Sequence, residues 1–517
     1  MCRRNLRRPK VADSSGLELT GANLLVRTWI LRRLLGRCGL GQDEKYVGIL
    51  LPPSVAAVVT NAALSLDVSI AVNLNYTAGP EVINASIAQC GIRHVLTSRR
   101  VMESLPIEIR ADVIYLEDLE DKVIRSDKLI AAAVTWLVPI ALLEFWLGLG
   151  RIGPDDVVTV IFTSGTTGDP KGVMLTYRNV GSNIDALDQI LGLRQNDVVL
   201  AILPFFHSFG YTGTLWTILT MKPKGVYHHN PLEPRPIGKL SRQHGATIMV
   251  ATATFLRFYL RRCEPEDFAT MEVVFVGAEK LPEELADAFE ERFGVRPYEG
   301  YGATELSPVA SGNVPPGRGP GAVRQGCKSG TVGRPLPGVM AKVVDLETLR
   351  DLGFDQAGML LIKGPTVMKG YLDQPDQTAE VLRDGWYVTG DVATIDADGF
   401  IRITDRLSRF AKIAGEMVPH IRVEAAIASV IGVGGECPRI AVTSIPDARK
   451  GEQLVVLHTV LDKSTSQICR ELRQTGLPAL WIPPPGNFHL VKDLPVLGTG
   501  KLDLKQIKRM ALAKSAS

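Results

Sequence analysis

Short apolar runs alternate with stretches of helical spacing through most of this 517-residue chain, and that alternation leaves few folds open. Residues 46–51 form an apolar run, 53–66 follow with helical periodicity, and 69–73 return to a strand-like pattern. Residues 81–90 then read as a helix stopped by Gly91, before apolar runs at 92–97 and 113–116. The same order resumes at 157–162, 198–203, 247–251 and 273–276, with a helix at 283–293 stopped by Gly294. Strands separated by helices pair in parallel, because each helix carries the chain back across a sheet face. The expected class is α/β, with layered and mostly parallel sheets in a large N-terminal domain.

From about 312 to 338 glycine and proline become dense, marking loops and a change of architecture. Short strands follow at 341–344, 359–362, 386–388 and 399–403, so residues 312–405 should include a small β subdomain. Beyond it, a helix at 421–431 and strands at 440–444 and 454–460 predict a compact α+β unit over 406–517. The boundary is expected near 405–408. Two domains suit a chain too long for one core.

Composition is that of ordinary globular proteins, 45% hydrophobic and 22% charged, and a net charge of +3 gives no argument for a nucleic-acid partner. Seven scattered cysteines without a CxxC pair fit reduced thiols rather than a disulfide framework or a zinc site. Arg3, Arg4, Arg7, Arg8 and Lys10 make the start of the chain basic, while Arg27, Arg32, Arg33 and Arg37 interrupt the run a secretory signal would need. Export is therefore not expected. Residues 22–40 read as a basic amphipathic helix, either packed on the first domain or lying on a membrane. Residues 129–149 are almost wholly apolar and about as long as a bilayer is thick. Pro139 and Glu144 argue against a simple crossing, leaving a helical hairpin in one leaflet or docked on the protein.

The densest chemical signal is Thr163-Ser164-Gly165-Thr166-Thr167-Gly168-Asp169-Pro170-Lys171-Gly172. Strand-like runs flank it. Its glycines let backbone approach an anion, and its hydroxyls and lysine supply donors, so the loop suits a polyphosphate. Its glycine-to-lysine spacing is not that of a Walker A loop.

This run resembles the phosphate loop of the adenylate-forming superfamily, which includes acyl-CoA synthetases, luciferases and peptide-synthetase adenylation domains. Further blocks of that family follow in order and cover most of the chain. The resemblance implies ATP and Mg²⁺ as cofactors. In Tyr301-Gly302-Ala303-Thr304-Glu305 it implies adenine stacking by Tyr301, a phosphate contact from Thr304 and a metal contact from Glu305; Mg²⁺ prefers such oxygen ligands. Gly277-Ala278-Glu279-Lys280 stands where the family has an adenine wall, with two charged departures. Asp391, closing Trp386-Tyr387-Val388-Thr389-Gly390-Asp391, matches the aspartate that binds both ribose hydroxyls, and a carboxylate is a natural acceptor for a diol. Arg406 matches a ribose-contacting arginine. Ser408 falls at the usual hinge position, and Asp405 replaces a usual glycine. Lys412 and Gly415 match the segment lining a thiol tunnel, and Lys501 in Leu497-Gly498-Thr499-Gly500-Lys501 matches the catalytic lysine of a mobile C-terminal domain. His207, in Leu203-Pro204-Phe205-Phe206-His207-Ser208-Phe209-Gly210, matches a block beside the acyl carbonyl; it either gates the thiol path or packs in an aromatic cluster.

Within the superfamily, residues 409–418 and 491–501 are similar to the synthetase half of the bacterial bifunctional acyl-carrier-protein synthetase/2-acylglycerophosphoethanolamine acyltransferases. That implies a long-chain fatty acid, acyl carrier protein as the thiol partner, and a cytoplasmic location, peripheral on the inner face of the membrane. A CoA ligase and a non-catalytic lipid- or nucleotide-binding member of the fold remain as alternatives. Glycerolipid acyltransferases use a His and an Asp with four residues between them. None of the eight histidines here has that spacing, so transfer to a lysophospholipid would need a separate partner.

Overall fold

The computed structural model describes residues 2–38, 40, 44–67, 69–105, 107–163, 170–318, 326–406, 409–414, 416–432, 439–447, 449–496 and 502–515, with backbone alone at 4, 405, 406, 412 and 417. The class is α/β, as the alternation requires. Among these residues, one four-stranded sheet is all parallel and orders Ile70–Asn73, Tyr46–Leu50, His94–Thr97 and Asp112–Tyr115. A nine-stranded sheet is parallel from Pro9–Asp13 through Lys224–Tyr227, Val198–Ala201, Ile248–Ala251 and Val273–Val276 to Pro297–Gly302. Its two edges close with antiparallel strands.

Side chains alternate faces along a strand, and here that alternation sorts the core into two layers. Val199, Ala201, Val273 and Phe275 join the cluster that contains Val47, Ile49, Leu35, Val58 and Ile184. Leu200, Ile202, Val274 and Val276 join a second cluster with Ile237, Leu256 and Phe289, which come from the helices Pro234–His244, Ala253–Arg262 and Glu283–Phe293. Both faces of the large sheet are therefore covered, as parallel sheets require.

Among the strands that sequence periodicity does not mark, two lie side by side in the large sheet. Lys224–Tyr227 is short and begins on the last residue of a Lys-Pro-Lys run, and Pro9–Asp13 looks like the end of a basic tail. Lys10 is nevertheless buried, its Nζ donating to the carbonyls of Met221 at 2.6 Å and Pro223 at 2.8 Å. A buried ammonium satisfied by fixed carbonyls leaves no pattern in sequence. The parallel expectation also needs correcting at the glycine-rich bend: Val157–Thr163 and Lys171–Thr176 pair antiparallel, in a separate sheet completed by Gly370–Tyr371.

The helix Gly21–Arg37 packs on the domain, burying Leu24, Trp29, Leu31, Leu34 and Leu35. The apolar stretch after it is not one helix. It divides at Pro139 into Arg125–Trp136 and Ile140–Trp146, and among the described residues no helix is long and apolar enough to cross a membrane.

Strand pairing changes partners between Arg406 and Phe410. Ile401–Arg406 pairs with Trp386–Ile395 in a five-stranded antiparallel sheet, whereas Phe410–Ile413 pairs with Glu416–Pro419 and Gly451–His458 in a second, mixed sheet. In the latter unit His420 is buried at the start of the helix His420–Ile431, its Nε2 without a hydrogen-bond partner among the described residues. Burial, followed by the charges of Arg409 and Lys508, pushes its pKa down to about 3. The unfolded chain takes up a proton first as pH falls below about 6.5, so this histidine's contribution is intact above that value and is lost on acidification. Chemical denaturation is expected to show this unit weaker at pH 4.5 than at pH 7 by up to about 3 kcal/mol, with a flatter pH dependence in His420→Gln. An unchanged slope in the variant would rule this histidine out.

Candidate active site

The antiparallel hairpin sets Thr163 directly opposite Lys171, so the hydroxyl-rich bend starts and ends on one rung of the ladder. Ser164, Gly165, Thr166, Thr167, Gly168 and Asp169 lie outside the described residues, as do Gly415 and Lys501. The expected meeting of the bend with Lys501 therefore also lies outside them. Lys171 reaches across the small sheet, its Nζ 5.1 Å from the ring centre of Tyr371.

Tyr371 links this lysine to the next block. Its hydroxyl donates to Glu305 Oε1 at 2.8 Å. Burial, and then the Glu305 charge, push the Tyr371 phenol above its ordinary value, so it stays a proton donor throughout the neutral range. The Met368 N–H donates to the Glu305 carbonyl at 2.8 Å, fixing the backbone that carries the carboxylate. One residue earlier, Thr304 Oγ1 lies 3.4 Å from Ser208 Oγ, which joins this block to the one bearing His207.

Tyr301 and Asp391 meet from different sheets, the phenol donating to Asp391 Oδ2. Asp391 is buried, its N–H donates to Thr389 Oγ1 at 3.0 Å, and it faces Arg406 in register across the ladder. Between these pairs stands Tyr387, also buried. Its phenol is pushed up by burial first and then by the charges around it, Glu305 foremost. Gly302 is required where the chain folds back on itself, since a Cβ there would stand 2.0 Å from the Pro308 carbonyl oxygen.

The Gly277 segment borders the same region, because a Cβ at Gly277 would come within 2.9 Å of the Phe209 ring. Ala278 takes a left-handed φ of 69° and is exposed. The Glu279 carboxylate is turned the other way: its Oε2 accepts from the Thr254 N–H at 2.9 Å and hydroxyl at 2.8 Å, at the start of the helix Ala253–Arg262. The Glu279 carboxylate is thus engaged by Thr254, while Ala278 is the exposed side chain of the segment. His207 lies 4.5 Å from the Phe206 ring, ahead of the turn Ser208–Gly210. Lys412 sits on the strand Phe410–Ile413, in register with Met417.

Thus the structure brings together Thr163, Lys171, Thr304, Glu305, Tyr301 and Asp391 through Tyr371 and Tyr387, two residues the sequence reading had not assigned to the site. Tyr371 lies on a two-residue strand too short for periodicity to register. Tyr387 stands inside the block that ends at Asp391, where the resemblance gives a role to the aspartate alone. An ammonium, two carboxylates and several hydroxyls from separate sheets suit a nucleotide triphosphate with a divalent cation.

The comparisons agree with that chemistry. Residues 2–372 match the AMP-binding enzyme family. A long-chain-fatty-acid–CoA ligase of Bacillus subtilis is 31% identical over 370 residues, 69% of this chain and 62% of that one. The chain thus spans less than two thirds of that relative. A 4-coumarate–CoA ligase of Pinus taeda is 27% identical over 491 residues, 93% of this chain and 87% of its own length. The crystal structure of ATP-bound MatB from Rhodopseudomonas palustris superposes with a TM-score of 0.78 at 25% identity, covering 97% of this chain and 95% of that one. With the family match spanning most of its length and the fold agreeing throughout, the chain belongs to the AMP-binding enzymes, the adenylate-forming superfamily.

Proposed function

We propose that the chain is an AMP-forming acid–thiol ligase whose acid is a long-chain fatty acid. The observation that carries this reading is the Lys171–Tyr371–Glu305 connection beside the Tyr301–Asp391 pair. In the first half-reaction one oxygen of the fatty carboxylate attacks the α-phosphorus of ATP. A new O–P bond forms, the bond to the bridging oxygen breaks, and pyrophosphate leaves. No general base is needed, because the acid is already ionised at neutral pH. The residues' task is positioning and charge stabilisation. Lys171 and the bend hold the phosphates, Tyr301 and the 277–279 segment hold adenine, and Asp391 with Arg406 holds the ribose. Lys501 approaches the α-phosphate from a mobile unit comprising residues 406–517.

Glu305 and Thr304 offer only oxygen donors, which fits Mg²⁺. Bound there, the ion would offset triphosphate charge, while Tyr371 keeps the carboxylate oriented. In the second half-reaction the C-terminal unit swings, Lys412 and Gly415 line the thiol path, and His207 gates it. The thiol gives up its proton, its sulfur bonds to the acyl carbon, and AMP departs.

CoA is the acceptor that the relatives' names support. Acyl carrier protein is a second reading, favoured by the run Arg409-Phe410-Ala411-Lys412-Ile413-Ala414-Gly415-Glu416-Met417-Val418. On either reading residues 1–517 make the thioester and do not pass it to a lysophospholipid, since none of their histidines has the His-x4-Asp spacing. The test is ATP–pyrophosphate exchange across a fatty-acid panel, repeated with CoA and with acyl carrier protein. Exchange peaking with long-chain acids, with thioester formed on one of the two thiols, is expected. Absence of exchange with every fatty acid would leave a binding protein instead.

A further inference from the structure

The apolar segment after the first sheet is built as a surface element. The helix Arg125–Trp136 has its inner face fixed by Asp127, Ala131 and Thr135, all buried and one turn apart. Asp127 accepts from Arg33 at 3.2 Å and Arg37 at 2.6 Å on the helix Gly21–Arg37. Arg3 donates to the carbonyls of Val134 and Thr135 at 2.6 and 2.9 Å, closing the far end. With its inner face so held, the outer face is set by the fold. That face is Leu129, Trp136 and Leu137, continued after Pro139 by Ile140, Phe145 and Trp146. Leu137 is 79% exposed, Phe145 80% and Trp146 62%.

Monomeric proteins rarely leave large apolar side chains contiguous in water, so this face has an occupant. Its charges indicate which. Between Arg125 and Arg151 the exposed ionic residues are Arg125, Lys128, Glu144 and Arg151, a net positive border, since Asp127 is buried and paired. Two exposed tryptophans on an apolar face edged with cations match the headgroup layer of a bilayer. The two helices, of 12 and 7 residues, are too short to cross one but long enough to lie in it.

We infer that residues 125–151 form an interfacial anchor that seats the protein on an anionic lipid surface. The inference goes beyond the ligase reading and stands without it. The test is flotation of the full chain, with neither nucleotide nor fatty acid, on vesicles of phosphatidylcholine alone or mixed with phosphatidylglycerol. Binding to the mixed vesicles is expected, weakened by salt. The double variant Leu137→Asp/Phe145→Asp should lower the partition constant by about tenfold or more. Brominated phospholipid should quench wild-type tryptophan fluorescence, and markedly less in Trp136→Phe/Trp146→Phe. Both sets of positions are exposed, and a thermal melt checks that the fold is retained. Failure to float on either vesicle overturns the inference, as does equal flotation of the double variant. Concentration-dependent self-association that the double variant abolishes, without flotation, would assign the face to a second copy of the chain.

Discussion

Lys501→Ala is expected to slow ATP–pyrophosphate exchange by roughly 10²–10³-fold, while transfer from preformed acyl-adenylate to the thiol stays near wild type. The asymmetry follows from when charge appears. Negative charge builds on the α-phosphate oxygens only as the carboxylate attacks, so a group aimed there acts on adenylation alone. On the proposed reading the swing of the C-terminal unit also takes this amine away before the thiol enters. Measuring the two half-reactions separately checks this. A loss shared equally by both would mark Lys501 as structural, and no loss in either would remove it from the chemistry.

Glu305→Gln is expected to cut adenylation by about 10²-fold or more and to raise the Mg²⁺ concentration needed for half-maximal rate. Glutamine keeps the size and one acceptor but removes the charge. Tyr371→Phe should cost roughly tenfold with a smaller shift in Mg²⁺ requirement, because it removes only the hydrogen bond that orients the carboxylate. The Mg²⁺ titration separates the two roles. Tyr371→Phe matching Glu305→Gln in both readouts would mean the phenol itself touches the phosphates.

The layered fold was legible because covered sheets demand a particular sequence rhythm. Val273–Val276 and Glu283–Phe293 appear where apolar spacing put them, and Gly91 and Gly294 end their helices in the left-handed region. Rhythm failed where burial was local. Pro9–Asp13 enters the central sheet carrying a lysine whose partners are carbonyls far away in the chain, and Gly370–Tyr371 is too short to have a period. In the site, Lys171, Tyr301, Glu305 and Asp391 were found one block at a time, each motif local in sequence. Their connections were not found, because Tyr371–Glu305 and Tyr301–Asp391 join residues 66 and 90 positions apart. Glu279 shows the converse: a residue inside a recognised block whose carboxylate serves Thr254.

The rung joining Thr163 to Lys171 has a bearing on how such a chain can vary. Successive strand residues point to opposite sides, so adding or deleting one residue within Lys171–Thr176 would turn the lysine's amine away from the Tyr371 ring. Length changes within the connecting segment would leave that rung's two ends where they are. Insertions and deletions should therefore be purged from the strand on register alone, and from the connection to the extent that its bend cradles phosphate, so directed evolution of this region has more freedom in side-chain identity than in length.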